Sequence, residues 1–270
     1  MEGNELLSLT QILKISLLSG FLGLDATAAV QVMVCRPLVV GGAVGWMLND
    51  PALGLAIGSL VEMLWIGGVP VGALVPPDGT QAAVVAACVA IELGHCSRFS
   101  GAGDAAAALG VIAALAVGVL GARAEIFQRR LSGLLVRRAE RAVEEGSVAD
   151  LRGVILGAIG LAWLRGSVVC AVCLAAGLPA LGLLLAALPS EAIRALHLSF
   201  WLIWLLGLAM VADHFWERRA LKQAGLALLV LVLLGTVMQA QQAVLLALAV
   251  AGAYLGGLWR WMRARRGEAA

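Results

Sequence analysis

The chain has 270 residues, of which 61% are hydrophobic and 13% charged, with a formal net charge of +2 and a mean hydropathy of +0.96. A water-soluble domain of this size carries about twice that charged fraction and confines its apolar residues to one face of each element, so a soluble fold is excluded. A single Tyr and no short alternating strands argue against a transmembrane barrel, and the small net charge leaves no basic patch for nucleic acid. What remains is an all-α, polytopic helical membrane protein, because a spanning backbone must satisfy its own hydrogen bonds.

About 20 apolar residues cover the hydrocarbon thickness. In chain order the expected spans are 6–24 (carrying Lys14), 32–48, 82–93 with its flanks, and 102–122. The N-terminal run has no signal-peptide pattern, since Glu2 and Glu5 precede it and no small-residue cleavage site ends it. A polar block covers 123–152. The spans 154–188 and 196–212 follow, and a last pair, 224–237 and 243–258, flanks the polar tip 239–242. The organisation is thus a membrane region 1–122, a basic segment 123–152, a second membrane region 153–259 and a tail 260–270.

Positive charge orients the molecule. The block holds Arg123, Arg129, Arg130, Arg137, Arg138, Arg141 and Arg152, which places it in the cytoplasm. Arg218, Arg219 and Lys222 mark a second cytoplasmic turn, and Arg260, Arg263, Arg265 and Arg266 a cytoplasmic C-terminus, in agreement with the parity of the spans between them. Within the block, residues 130–145 set Leu131, Leu134, Leu135 and Ala139 on one side and Arg and Glu on the other. That pattern predicts an amphipathic helix at the cytoplasmic surface or under a partner subunit.

The segment 50–81 behaves differently. It is apolar enough for a membrane helix, yet Gly67, Gly68, Pro70, Gly72, Pro76 and Pro77 break it repeatedly. Broken backbone at membrane depth survives only against protein or a water-filled cavity, and transporters use such breaks to aim amides and carbonyls at a substrate. The expectation is a re-entrant, Gly/Pro-broken hairpin over about 52–80: a helix over 52–66, a tip, and an extended return to Asp78. Gly54 and Gly58 form a small-residue face for a neighbouring helix.

Ionisable groups inside apolar runs are functional candidates. Glu62 lies between Val61 and Met63, Arg36 lies in VMVCRPLVV, and Asp25 lies in GLDATAAV. Glu62 fits either a structural pair with Arg36 or a ligand contact; Asp78, between Pro77 and Gly79, fits either a turn or helix cap or a ligand contact. Glu62, Asp78, Gln81 and Trp65 together offer the carboxylates, amide and indole that a sugar cavity uses. Lys14 and Arg165 read as snorkelling or pairing charges. Cys170 and Cys173 form a C-x-x-C inside an apolar run with no His or acid beside them, which reads as packing, so no metal site is expected. His95, His197 and His214 show no shared spacing and no acid partner in the sequence.

The run from Cys35 to Ala83 resembles the C subunit (EIIC) of the mannose–fructose–sorbose family of phosphotransferase-system sugar transporters. The resemblance rests on Arg36-Pro37-Leu38, the Gly-rich helix ending in Asn49-Asp50, the GxxxGxxxE run ending at Glu62-Met63, the Gly-x-Pro tip, and Pro77-Asp78. It implies a membrane subunit that forms a translocation path with a D subunit (EIID). Phosphate then passes from phosphoenolpyruvate through soluble carriers (EIIA among them) to EIIB, which phosphorylates the arriving sugar. On this reading the chain carries no phosphorylated residue and no cofactor. The complex is a multi-pass assembly of the cell inner membrane and a homo-oligomer. By motif position Glu62 and Asp78 contact the sugar, with Arg36 organising the site; Trp65, Gln81 and Asp25 join them as candidates from their chemistry alone. The chain departs from the pattern at Cys35, where relatives place His before the Arg-Pro pair. Two other readings stay open: a proton-coupled secondary transporter using Glu62 and Asp25, and a regulatory protein that does not transport.

Overall fold

The structure, a computed structural model, describes residues 7–29, 31–68, 75–96 and 101–215. Every regular element among these residues is helical: α1 (Leu9–Thr27), α2 (Pro37–Met47), α3 (Pro51–Trp65), α4 (Gly79–His95), α5 (Gly103–Glu144), α6 (Val148–Val172), α7 (Leu178–Ala187) and α8 (Ser190–Phe215). The chain separates into units Met1–Met210 and Val211–Ala270, and the described part of the second unit is the end of α8. The expected hairpin tip at Pro70 and Gly72, the spans 224–237 and 243–258 and the basic tail lie outside the described residues.

The helix starts follow local chemistry. Ser8 and Gln11 form a reciprocal capping box on α1. Asp50 and Asp78 cap α3 and α4 through their carboxylates, and Ser147 caps α6. Pro37 and Pro51 stand at the first positions of α2 and α3, where a missing N–H costs nothing. Between α6 and α7, Pro179 cannot donate to the preceding turn, and a five-residue π-helical stretch, Cys173–Gly177, absorbs the change.

Four stretches of helix are long and apolar enough to cross a membrane: Leu9–Ala26, Gly103–Glu144, Val148–Ala187 and Ser190–Asp213. Their large aliphatic side chains face outward. Leu9, Leu13, Leu17 and Phe21 form an exposed stripe along α1, and Leu198, Leu202 and Leu206 repeat the pattern on α8. Small residues turn inward, above all on α4, whose residues from Thr80 to Ile91 are all buried. With few branches to bury, backbones approach closely: a Cβ on Gly110 of α5 would lie 2.8 Å from the Ala86 carbonyl of α4.

Two expectations are corrected. Residues 32–48 are not a span. Asp25 accepts hydrogen bonds from the Val32 and Cys35 amides and so gathers 31–35 into a turn, with Gln31 and Met33 at positive φ. A residue before proline also disfavours the helical region, so α2 starts only at Pro37 and is 11 residues long. At 1.5 Å per residue, α2 and the 15-residue α3 reach about 16 and 22 Å, short of the ~30 Å hydrocarbon core. They fold back on each other through Leu48–Asp50, where Asn49 takes φ 61°. The Gly54 and Gly58 face finds its neighbour here: Gly41 and Gly45 of α2 meet it backbone to backbone, and a Cβ on Gly58 would lie 2.6 Å from the Pro37 carbonyl. The two short helices α2 and α3 therefore form a hairpin of their own, which begins after Arg36.

The second correction concerns residues 130–145, which are not a separate helix. They are the last part of α5, 42 residues without a break and about 63 Å long. The basic segment thus continues a membrane helix rigidly, up to a turn at Gly146 with φ 68°.

Replacing Gly54 with Ala should destabilise the protein by about 1–3 kcal/mol, because the added methyl would sit 2.6 Å from the Gly45 Cα. Gly160→Ala, with nothing within 4 Å of the new Cβ, should leave thermal unfolding in detergent unchanged or improved; the two unfolding midpoints provide the check.

Candidate functional site

The open end of the α2–α3 hairpin brings two sequence candidates together. Arg36, the last residue before α2, places its Nε 2.7 Å from Oε1 of Glu62 in the last turns of α3. The other Glu62 oxygen accepts the Leu38 amide at 3.3 Å, one of the free N–H groups at the start of α2. Glu62 therefore answers a guanidinium and a helix N-terminus at once. Trp65, one turn on, donates its indole N–H to the Pro77 carbonyl at 3.1 Å, pinning the return segment against α3.

That segment delivers Asp78. Its Oδ1 accepts the Gln81 amide at 3.1 Å as the α4 cap, and its own N–H donates to the Gly118 carbonyl on α5 at 2.9 Å. Gly121 makes the approach possible, since a Cβ there would lie 2.5 Å from the Asp78 Cβ. The remaining oxygen, Oδ2, lies 3.6 Å from Nη1 of Arg165 on α6. The same nitrogen lies 3.7 Å from Oε2 of Glu125, whose Oε1 is held by Arg129 at 2.6 Å. Asp78, Arg165, Glu125 and Arg129 thus form a line of alternating charge across α4, α6 and α5.

These groups line one cavity of about 270 Å³, together with Gly23, Thr80 and the rings of Pro37, Pro76 and Pro77. The volume lies just under the ~300–1,000 Å³ of drug-sized ligand pockets, which suits a small polar molecule. Three carboxylates and three guanidiniums share the wall and balance in formal charge, each acid paired with a base. Arg36, Glu62, Trp65 and Asp78 are all on the wall. Asp25 and Gln81 are not: Asp25 is occupied with the 31–35 turn behind it, and Gln81 is buried one turn deeper along α4.

Glu125, Arg129 and Arg165 complete the site although the sequence reading did not choose them. Glu125 and Arg129 were hidden by the many charges of the basic segment. Arg165 was the legible one, a lone cation in an apolar run, and it pairs with buried acids rather than snorkelling. At the far ends of the helices, two histidines without acid partners in the sequence acquire them by folding. His95 lies 3.0 Å from Asp50 and His197 lies 3.2 Å from Asp104. The side chain of His214 lies outside the described residues.

A charged cavity walled by helix ends and broken backbone, inside a bundle whose outer face is aliphatic, defines a membrane transport protein. Comparison with known proteins gives the family. The model of the PTS system sorbose-specific IIC component matches residues 9–257, and the chain belongs to that family. It is 27% identical over 206 residues to the PTS system sorbose-specific EIIC component of Klebsiella pneumoniae, covering 76% of this chain and 73% of that protein. It is 25% identical over 179 residues to the mannose-specific EIIC component of Escherichia coli K12, covering 66% of this chain and 64% of that one. The fructose permease IIC component of Bacillus subtilis is 24% identical over 178 residues, with 66% and 62% covered. Among solved structures, one described as a membrane protein matches with TM-score 0.59 at 22% identity. The cryoEM complex of mannose transporter ManYZ with microcin E492 matches with TM-score 0.50 at 21% identity. Each match covers 94% of both chains, and at these identities it shows a shared fold.

Arg165 is the sole described base beside Asp78, and its side chain is 10% exposed. Arg165→Leu should therefore cost about 3 kcal/mol, because it leaves the half-buried Asp78 carboxylate without a base and beside Glu125. Adding Glu125→Gln should recover part of the loss, as read from unfolding midpoints in a double-mutant cycle.

Proposed function

We propose that this chain is the sugar-translocating membrane subunit of a phosphoenolpyruvate-dependent sugar phosphotransferase system. It binds a hexose-type monosaccharide in the cavity around Glu62 and Asp78 and presents it inward for phosphorylation by a B subunit. The observation that carries the reading is the wall itself: carboxylates held in place by arginines beside the rim of Trp65. A carboxylate offers two acceptor oxygens to neighbouring hydroxyls, and an indole offers an apolar face to a sugar ring. Because Trp65 spends its N–H on Pro77, its contribution is that face. Arg36 and Arg165 hold Glu62 and Asp78 in position, Asp25 shapes the turn that presents Arg36, and Gln81 stands behind Asp78.

The partners on this reading are an EIID membrane subunit and the EIIA and EIIB phospho-carriers, assembled as a multimer in the bacterial inner membrane. The basic end of α5 and the C-terminal tail face the cytoplasm. The chain supplies no phosphorylated residue. Family membership over 9–257 favours this reading over a proton-coupled secondary transporter or a regulatory protein.

Membranes containing this chain and its partner subunits should phosphorylate a mannose-, fructose- or sorbose-type sugar when given phosphoenolpyruvate and the soluble carriers. The rate should persist when an uncoupler collapses the proton gradient. Glu62→Gln keeps the shape but loses the charge that holds Arg36, and should lower phosphorylation at least tenfold, the effect of about one charge-assisted hydrogen bond, without preventing membrane insertion. A wild-type rate in Glu62→Gln, or a rate abolished by the uncoupler, would overturn the assignment.

A further inference from the structure

Behind the cavity, the junction of α1, α4 and α6 is polar where an apolar core would suffice. Ser16 and Ser19 are three residues apart and share one face of α1. Both are buried, at 2% and 0% exposure, and so is Gln81 of α4 at 1%. Among the described residues neither hydroxyl has an oxygen or nitrogen partner, the Cys170 thiol being the polar group they face, and the Gln81 Oε1 has none. A helical serine ordinarily satisfies itself on the carbonyl four residues back. Ser132, Ser167 and Ser199 do so, whereas Ser16 and Ser19 are free of any such bond.

These groups surround the point where α1 crosses α6. A Cβ on Gly166 would sit 3.0 Å from the Gly20 Cα and 3.3 Å from Nε2 of Gln81. Cys170, fully buried, lies one turn further along α6, beside Ser16 and Ser19. On α1 and α4 the polar group lies just inward of a cavity residue, Ser19 four residues from Gly23 and Gln81 three from Asp78, and on α6 the crossing glycine Gly166 is next to Arg165. The file therefore starts at the cavity and runs away from the basic end of α5.

We propose that Ser16, Ser19 and Gln81 form a second, inner station for hydroxyl groups, continuing the cavity between α1, α4 and α6. Its ligand class follows from the donor and acceptor inventory. A serine hydroxyl both gives and accepts, and the free Gln81 oxygen only accepts. An anion without a proton could not donate to that oxygen, and a cation would leave the serine protons without an acceptor. A hydroxyl does both, whether it belongs to a sugar or to a water in the sugar's place. The seam between α1 and α6 is close-packed at Gly20 and Gly166, with Ser167 and Gln81 beside the two glycines. The identification of the ligand as sugar rests on the reading of the cavity given above; the station itself does not.

Two measurements test it in the assembled complex. Replacing both serines (Ser16→Ala with Ser19→Ala) should lower sugar phosphorylation about tenfold, the effect of losing about one to two hydrogen bonds. The unfolding midpoint should hold or rise, because two hydroxyls without an oxygen or nitrogen partner leave the core. An unchanged rate, or a midpoint that falls with the rate, would overturn the proposal. Separately, a chain keeping Cys170 as its single cysteine should react with a water-borne methanethiosulfonate. Labelling slowed by the sugar assigns the station to sugar, and labelling indifferent to sugar assigns it to water. A Cys170 that never reacts overturns the station. Labelling needs no phosphorylation, so its failure is distinguishable from failure of Glu62→Gln to impair phosphorylation. If the single-cysteine chain does not fold, the serine pair still decides.

Discussion

Everything in this fold answers to the cost of holding charge in a medium that cannot solvate it. An unpaired ion in hydrocarbon is unfavourable by several kcal/mol, yet the cavity wall carries six charged side chains. The structure meets that cost by alternation. Glu62 takes Arg36 and the first amides of α2, while Asp78 and Glu125 share Arg165, with Arg129 closing the line. Arg165 joins the two acids, so its removal leaves Asp78 without a base, and the line ties the start of α4 to α5 and α6. Stability and the shape of the binding wall thus come from the same contacts.

Glycine sets how close those helices come. The α2–α3 hairpin is too short to span, and it buries Val40, Val44, Ile57, Leu60 and Val61 fully in the core. What holds it is backbone contact between Gly41 and Gly45 on one side and Gly54 and Gly58 on the other, where close approach gathers dispersion contacts that lipid cannot replace. Gly118 and Gly121 do the same for the return segment, letting Asp78 lie directly on α5. A side chain at either place would push the acid away from Arg165.

Much of this was legible in the residues. Hydropathy located α1, α5, α6–α7 and α8. The misplaced charges Arg36, Glu62 and Arg165 all proved to be paired, and Asp78 before Gly79 proved to be a helix cap. The sequence reading failed where folding sums distant parts. Nothing local in residues 32–36 announces that Asp25, on the previous helix, will bind their amides and delay α2 to Pro37. Continuity of α5 across 122–123 was masked because apolar and basic halves have different compositions but equal helix propensity. Glu125 looked like one charge among many, and only the third dimension sets it beside Arg165. The acid partners of His95 and His197 were hidden for the same reason.

The unbroken α5 has a mechanical consequence. Gly121 touches Asp78 in the cavity wall, and Glu144 ends the helix 23 residues later, about 35 Å away. The helix runs unbroken between them, through Gly133, so the cavity wall and the arginine-bearing tip are two ends of one element. A tilt of about five degrees at the wall carries the arginine-bearing tip through about 3 Å.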